Sequence, residues 1–199
     1  MTGPEQKDRR NSEAPGDREV TPDEVIEFWF SEEIKPYWWK KDPQFDAQLQ
    51  RRFGALHRQA ASHGLPHWRI SPTGRLAEIL VLDQFSRNLY RDDARAFAQD
   101  EQAVARTREA LAAGADTELS PQQRAFLYLP LMHSEDPADH DDAVRLYASD
   151  PALAGNYEFE LKHKAIIDRF GRYPHRNEAL GRTSTDEERA FLDQPGSSF

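Results

Sequence analysis

Apolar residues recur at intervals of three and four along most of the chain, which is the spacing of one face of an α-helix. The clearest stripe consists of Phe45, Leu49, Phe53 and Leu56. It predicts a helix from Pro43 to His63 that ends at Gly64. No stretch alternates apolar and polar residues convincingly, as a half-buried strand would. The pattern therefore predicts an all-α protein.

Helix starts are marked by capping residues that precede proline, acidic or amide side chains. Such starts occur at Thr21, Ser120, Asp136 and Thr185. Further helices are predicted from Gly74 to about Tyr90, from about Ala94 to Gly114 and from Asn156 to Phe170. Pro130 is expected to kink or end the helix that follows Ser120. These signals predict seven or eight helices, which short turns join into antiparallel hairpins.

The two ends of the chain differ from the rest in composition. Residues 1–20 contain one Val and no aromatic residue among Gly, Pro and charged side chains, so they can bury almost nothing. We expect a disordered tail there, a single helical domain over residues 21–193 and a loose C-terminal tail over 194–199. A chain of 199 residues is long enough for one well-buried domain and too short for two ordinary ones.

Charge and composition narrow the function classes. The formal net charge of -9 repels phosphate backbones, so nucleic acid is not expected as a partner. The absence of cysteine excludes disulfides, thiolate zinc sites and thiol catalysis. No apolar run is long enough to span a bilayer, and the first residues lack a hydrophobic signal core. We therefore expect a cytoplasmic protein with no membrane partner.

Two predicted helices carry polar side chains where the apolar pattern calls for core. In the helix from Gly74, the inward stripe leads to Asp83, and Arg87 lies four residues further on the same face. In the helix that closes on Gly171, the stripe that begins at Phe159 passes through His163. A structural ion pair and a hydrogen-bonded core histidine would account for these residues, and so would contacts with a ligand.

A concentration of cations follows in this acidic chain. Within twenty residues lie four arginines and two histidines, namely His163, Arg169, Arg172, His175, Arg176 and Arg182. Gly171 permits a left-handed helix end and Pro174 holds Tyr173 extended, so the turn fixes the directions of its side chains. The arginines either bind helix C-terminal carbonyls or, together with Arg87, form an anion site.

Motifs of the common enzyme classes are absent from the sequence. There is no G-x-S-x-G elbow, no phosphate-binding loop and no dinucleotide-binding glycine pattern. We expect no cofactor and no metal. The only sensible metal ligands, His133, Glu135 and His163, lack the spacing of a helical zinc site.

Three segments carry long, specific motifs: LAEILVLDQFSRNLYRDDARAFAQD, FLYLPLMHSEDPADHDDAV and HKAIIDRFGRYPHRNEALGRTSTDEE. From about Val25 to Leu192, the chain resembles the bacterial family called domain of unknown function 924. The resemblance implies an all-helical fold similar to the tetratricopeptide-like superfamily. It supplies no reaction and no established catalytic residue. Ser86 stands where the family is expected to have proline, which makes a serine nucleophile there unexpected.

Two functions from different classes agree with these patterns. In the first, a pocket between helices binds an anionic small molecule or an acidic peptide terminus through Asp83, Arg87, His133, His163, Arg172, His175 and Arg176. In the second, the chain is a small cofactor-independent enzyme acting on an anionic substrate, with catalytic candidates His133, Glu135, His163 and Asp83. Binding ranks first because tetratricopeptide-like stacks usually bind, although a purely structural role for these residues stays open.

Overall fold

The computed structural model describes residues 19–197, and this part of the chain folds into eight α-helices without a strand. The helices are α1 (Pro22–Trp29), α2 (Pro43–Ala61), α3, α4 (Asp100–Ala112), α5 (Pro121–His133), α6 (Pro137–Ala148), α7 (Ala154–Phe170) and α8 (Asp186–Leu192). Helix α3 runs continuously through α-helical Pro72–Leu80, π-helical Val81–Phe85 and α-helical Ser86–Leu89. The predicted fold class and number of helices are confirmed.

Short 3₁₀ turns lie between the helices of the described part, at Lys35–Tyr37, Pro66–Ile70, Ala94–Ala96, Ala115–Glu118, Pro151–Leu153 and Pro174–Arg176. Most of the predicted N-terminal tail, residues 1–18, and residues 198–199 of the predicted C-terminal tail lie outside the described residues. Within the latter tail, Ser197 is buried and its hydroxyl donates to the carbonyl of Leu192.

The capping signals act as the sequence predicts. Thr21, Ser120 and Thr185 each form a reciprocal capping box with the residue three positions later. The carboxylate of Asp136 accepts the backbone N–H of Ala138 at 2.9 Å and begins α6. Each such cap stabilises its helix by about 1 kcal/mol.

The end of α2 differs from the prediction in which residue turns the chain. His63, not Gly64, adopts the left-handed conformation, with φ of 60°. The Gly64 N–H donates to the carbonyl of Gln59 at 2.9 Å, and the His63 N–H donates to that of Ala60, which is the pattern of a Schellman motif. Glycine is needed at position 64 for close approach, because a Cβ there would lie 2.9 Å from the Gln59 carbonyl oxygen.

Other helix boundaries also differ from the prediction. Helix α4 starts at Asp100, not at Ala94, because the Asp93 side chain accepts the Arg95 N–H and closes a separate 3₁₀ turn. Helices α3 and α7 begin two residues earlier than predicted, which is within the usual uncertainty of helix ends. Helix α5 does not end at Pro130 but continues to His133, so it carries this histidine in its last turn.

Helices that follow one another in the chain pack together, so that α3, α4, α5, α6 and α7 form a continuous series and α1 and α2 pack on α3. The tetratricopeptide-like arrangement implied by the resemblance stays a prediction. No helix of residues 19–197 is long and apolar enough to cross a membrane.

The buried apolar residues form a large cluster and a small one. The large cluster includes Trp29, whose ring lies 5.5 Å from that of Phe85 and 5.8 Å from that of Phe126. The small cluster consists of Ile166, Ile167 and Tyr173 with Phe170 and Phe191 packed against it. Phe159 was predicted to face the core with them, and this is wrong, because its side chain is 53% exposed. The Tyr173 hydroxyl donates to the carbonyl of Met132, a residue of the large cluster, and the rings of His140, His163 and His175 pack around Tyr173.

Candidate functional site

Asp83 lies at the centre of the polar residues, within the π-helical part of α3. It is only 1% exposed, as its position on the inward stripe predicts. Its carboxylate contacts His133 Nδ1 at 2.7 Å, Gln84 Nε2 at 2.6 Å and the Arg87 guanidinium at 3.3 Å. Burial raises the pKa of Asp83, but Arg87 and His133 outweigh burial and hold it well below its ordinary value. Asp83 is therefore a buried, ionised carboxylate.

Arg87 joins Asp83 to a second carboxylate that the sequence analysis missed. Its two terminal nitrogens donate to the two oxygens of Asp100, at 2.9 and 3.1 Å. Burial lowers the pKa of Arg87, but the negative charges of Asp100 and Asp83 raise it by more, so the net shift is upward. The predicted Asp83–Arg87 pair exists, but its arginine makes the better-aligned, bidentate contact with Asp100.

Arg176 is brought to the same carboxylate from the turn after α7. Its guanidinium donates to Asp100 at 3.1 Å and to the carbonyl of His133 at 2.8 Å, and only 5% of the residue is exposed. The guanidinium lies 4.7 Å from the Phe97 ring centre and 4.4 Å from that of Tyr173. Its buried Nε–H has no hydrogen-bond partner among the described residues. Arg176 therefore shares Asp100 with Arg87, and the anion site predicted for these arginines stays a prediction.

His133 has one nitrogen inside this cluster and one at its edge. Because ionised Asp83 can only accept a hydrogen bond, His133 Nδ1 carries the proton that lies between them. The Nε2 atom makes no hydrogen bond within the described part of the chain and is not among its buried atoms, and 15% of the side chain is exposed. Burial lowers the pKa of His133, and the positive charges of Arg87 and Arg176 lower it too. Asp83 raises this pKa, but the net shift is downward. The imidazole is therefore neutral at neutral pH, with its lone pair on Nε2.

Glu135 holds the turn after α7 in place. Its carboxylate accepts the Tyr173 backbone N–H at 2.7 Å and two N–H groups of Arg182, at 2.7 and 3.0 Å. Burial raises the pKa of Glu135, but Arg182 and the Tyr173 N–H more than offset this. Glu135 therefore fixes the turn that carries Arg176 to the end of α5.

The other residues predicted for the site make hydrogen bonds or ring contacts with further parts of the chain. Arg172 donates to Glu188 at 2.6 and 2.8 Å and to the Thr183 carbonyl, so it joins α8 to the turn and does not reach Asp100. His163 bonds the carbonyl of Phe159 through Nδ1 at 2.8 Å, as a core histidine does, and burial lowers its pKa to about 3.

His175 packs its ring 5.4 Å from that of Tyr173. Burial and, second to it, the positive charge of Arg176 lower the pKa of this histidine to about 4. The predicted ligand residues thus divide into a connected set and a set of structural contacts. The connected set is Asp83, Arg87, His133 and Arg176, and with Asp100 we call it the Asp83 cluster.

A second buried pair, which the sequence analysis also missed, lies beside Tyr173. His140 Nδ1 is 2.7 Å from Glu160, and its Nε2 donates to the carbonyl of Ser134 at 2.9 Å. Burial raises the pKa of Glu160, and this outweighs the lowering effect of His140. The only sequence signal for Glu160 is its place three residues before His163, on the same helical face.

The side chains of the Asp83 cluster contact one another directly, and the ligand pocket predicted around them stays a prediction. Two open surface cavities, of about 340 and 330 Å³, are lined by other residues, although Arg172 contributes to the second. Two carboxylates balance two guanidiniums in the cluster, and the neutral His133 adds no charge. Among residues 19–197, no three His, Asp or Glu side chains are grouped so as to hold a metal ion.

The fold and cluster together define an all-helical protein in which α3, the end of α5 and the turn after α7 converge on one buried carboxylate–histidine pair. Residues 25–196 match the family described as bacterial protein of unknown function (DUF924). The chain belongs to this family. A solved structure of a protein of unknown function from Agrobacterium tumefaciens, ATU0120, is 35% identical, with a TM-score of 0.80 over 86% of this chain and 96% of that one. No curated protein matches the chain.

Proposed function

We propose that this protein is a small cofactor-independent enzyme in which His133 acts as a general base on a small anionic substrate. The observation that carries the proposal is the pair of a fully buried, ionised Asp83 and a neutral His133 whose Nε2 lone pair reaches the surface. This is the second of the two functions that the sequence analysis derives.

The pair has the features that general-base catalysis needs. Asp83 fixes the Nδ1–H tautomer of His133, so Nε2 is free to take a proton from a substrate or from water. When Nε2 becomes protonated, the carboxylate stabilises the resulting imidazolium. Arg87 keeps the carboxylate ionised, because its guanidinium lies 3.3 Å away. Asp83 therefore acts as a positioning residue and His133 as the catalytic residue.

The arginines suit a substrate that gains negative charge during the reaction. Arg176 binds the backbone of His133 and retains an unpartnered Nε–H, which a substrate oxygen could accept if the cluster opens at this edge. Positive groups fixed near a developing anion stabilise the transition state more than the ground state. An anionic small molecule with an exchangeable proton or a hydrolysable bond is the substrate class that fits.

Binding without chemistry is the second candidate, and Arg176 favours it through the same unpartnered Nε–H. It has less support than catalysis, because binding alone gives no reason for Asp83 to fix the Nδ1–H tautomer of His133 and leave Nε2 as an acceptor.

The test is a panel of reactions that depend on proton removal. Wild-type protein is incubated with small 2-oxo acids in D₂O to detect deuterium incorporation, and with anionic 4-nitrophenyl esters to detect hydrolysis. We expect at least one reaction that His133→Gln slows by about 100-fold or more. The matched control is His67→Gln, because the His67 side chain is 54% exposed and pairs with the surface carboxylate of Glu19.

A readout beyond rate separates the roles of the two residues. Asp83→Asn should lower the rate and also change the pH at which it is half-maximal, because His133 loses its carboxylate partner. The proposal fails if wild-type protein turns over nothing in the panel, or if His133→Gln keeps the wild-type rate. Binding of an anion that depends on Arg176, with no turnover, would support the second candidate.

A further inference from the structure

The cavity of about 340 Å³ lies between α2 and the region that follows α3, away from the residues proposed to act in catalysis. Its lining includes His57, Arg58, Ala61, Tyr90, Arg95 and Ala98. This volume falls at the lower end of the range for small-molecule sites, which is about 300–1,000 Å³. The cavity is open to the surface, so a ligand can enter it, and a shift of side chains is needed only to uncover the buried Nδ1 of His57.

The tautomer of His57 follows from its contact with Ser86. The Ser86 hydroxyl lies 2.5 Å from the carbonyl oxygen of Leu82 and 2.7 Å from His57 Nε2. A carbonyl oxygen only accepts, so the single hydroxyl proton of Ser86 is donated to Leu82. Ser86 must then accept from His57, and Nε2 carries the histidine proton.

The other ring nitrogen of His57 is left as an unpaired acceptor. Burial lowers the pKa of His57, and Arg58 lowers it further, so the ring is neutral. With the proton on Nε2, Nδ1 has a lone pair, and it has no hydrogen-bond partner among the described residues. His57 is only 3% exposed, and buried polar atoms of this kind are almost always paired in native proteins. The site therefore lacks one hydrogen-bond donor.

The charges of the lining favour an anion. Two arginines and no carboxylate line the cavity. Arg95 is paired with Asp93 and lies over the Tyr90 ring at 4.6 Å, whereas Arg58 makes no ion pair within the described residues. Tyr90 and the two alanines supply apolar surface between these polar groups.

We propose that this cavity binds a small carboxylate with an apolar body and a hydroxyl group. The hydroxyl donates to His57 Nδ1, the carboxylate pairs with Arg58 and the apolar body packs on Tyr90. Ser86 takes no part as a nucleophile, because it is fully buried and its proton is held by Leu82. The proposal is independent of the function of His133, and His133→Gln should bind the same ligand unchanged.

The experiment compares two probes that differ in one group, 4-hydroxybenzoate and 4-methylbenzoate. We expect the first to bind wild-type protein about tenfold more tightly by NMR titration, since only it donates to Nδ1. His57→Gln keeps a donor for Ser86 but removes Nδ1, and it should abolish the preference. His57→Asn keeps a group that can accept at the Nδ1 position and should retain part of it.

Arg58→Gln provides the control for charge, and it should weaken both probes equally, by about threefold, as for an exposed ion pair. The proposal is overturned if wild-type protein binds both probes equally, or if no saturable shift occurs up to about 10 mM of either probe. A preference that survives His57→Gln also overturns it. If the His57 variants do not fold, the two probes on wild-type protein and on Arg58→Gln still decide the matter.

Discussion

Two histidines are held by side chains three residues apart on α3, yet they adopt opposite tautomers. His133 donates from Nδ1 to Asp83 and leaves Nε2 at the surface, whereas His57 donates from Nε2 to Ser86 and leaves Nδ1 buried. The partner decides the difference, because ionised Asp83 accepts unconditionally and Ser86 accepts only since its proton goes to Leu82. Side chains of one helix thus leave His133 with an unprotonated Nε2 and His57 with an unprotonated Nδ1.

The two regions also differ in how their charge is balanced. The Asp83 cluster contains a buried carboxylate whose charge is offset by Arg87, so removal of one member leaves another unpaired. The contact between His57 and Ser86 joins two neutral groups, and its loss strands only a hydrogen-bonding atom. The cluster should therefore be far more sensitive to substitution than the His57 region.

The largest loss of stability is expected from substitution of Asp83 and Ser86, the two α3 residues that contact the histidines. Asp83→Ala should lower the free energy of unfolding by about 3 kcal/mol or more, because it strands the buried charge of Arg87. Ser86→Ala should cost about 1–2 kcal/mol, because only the buried Nε2–H of His57 loses its acceptor. Urea unfolding monitored by circular dichroism measures both.

An exposed acid provides the control, and Glu101→Ala should change stability by less than about 0.5 kcal/mol. A loss below about 0.5 kcal/mol for Asp83→Ala would show that Asp83 is not a buried partner of Arg87. Equal losses for Asp83→Ala and Ser86→Ala would remove the contrast between the two regions.

The helices could be predicted because their signals are local. The cap at Thr21, the capping boxes at Ser120 and Thr185 and most of the apolar stripes depend on residues a few positions apart, and they stand as predicted, whereas Phe159 of the α7 stripe is exposed. The end of α2 was harder to predict. The sequence shows Gly64, but it does not show that His63 adopts the left-handed conformation or that Gly64 is needed because its backbone lies close to the Gln59 carbonyl. The start of α4 was missed because Asp93 closes a competing local turn.

For the candidate site, the sequence identified some of the residues but not most of their contact partners. Asp83 was identified because a charge on an apolar stripe requires a partner, and Arg87 lay within reach on the same helix. Asp100 looked like an ordinary first-turn acid, and its contact with Arg176 joins residues 76 positions apart. Arg172 and Arg176 lie in the same short segment of the sequence. Only the tertiary structure shows that Arg172 pairs with Glu188 and Arg176 with Asp100.

The next effect is a dependence of stability on pH between about 6.5 and 5. The pKa values of His133 and His57 are lowered in the folded chain, so below pH of about 6.5 the unfolded chain binds protons that the folded chain does not. Their contribution is fully present above that pH and is lost as the pH falls toward the folded values. Each histidine adds up to about 1.4 kcal/mol per pH unit to the slope.

His57→Gln and His133→Gln should each make this slope shallower, and His67→Gln should leave it unchanged because its side chain is exposed. His163 and His175, with pKa values of about 3 and 4, keep a residual slope in every variant. A wild-type unfolding free energy that does not fall between pH 6.5 and 5 would contradict the neutral, buried state of these rings.

The smallest perturbation is a direct measurement of the two tautomers by ¹⁵N NMR of the imidazole nitrogens near neutral pH. In wild-type protein, Nε2 of His133 and Nδ1 of His57 should both show the shift of an unprotonated nitrogen. Asp83→Asn replaces an acceptor-only carboxylate by an amide that can donate, so it allows His133 to move its proton to Nε2 while His57 stays unchanged. That change would give both histidines the same tautomer and should abolish the basicity of His133 at the surface without removing its ring. A proton on Nε2 of His133 in the wild-type protein would exclude this nitrogen as the base, and with it the difference between the two regions of α3.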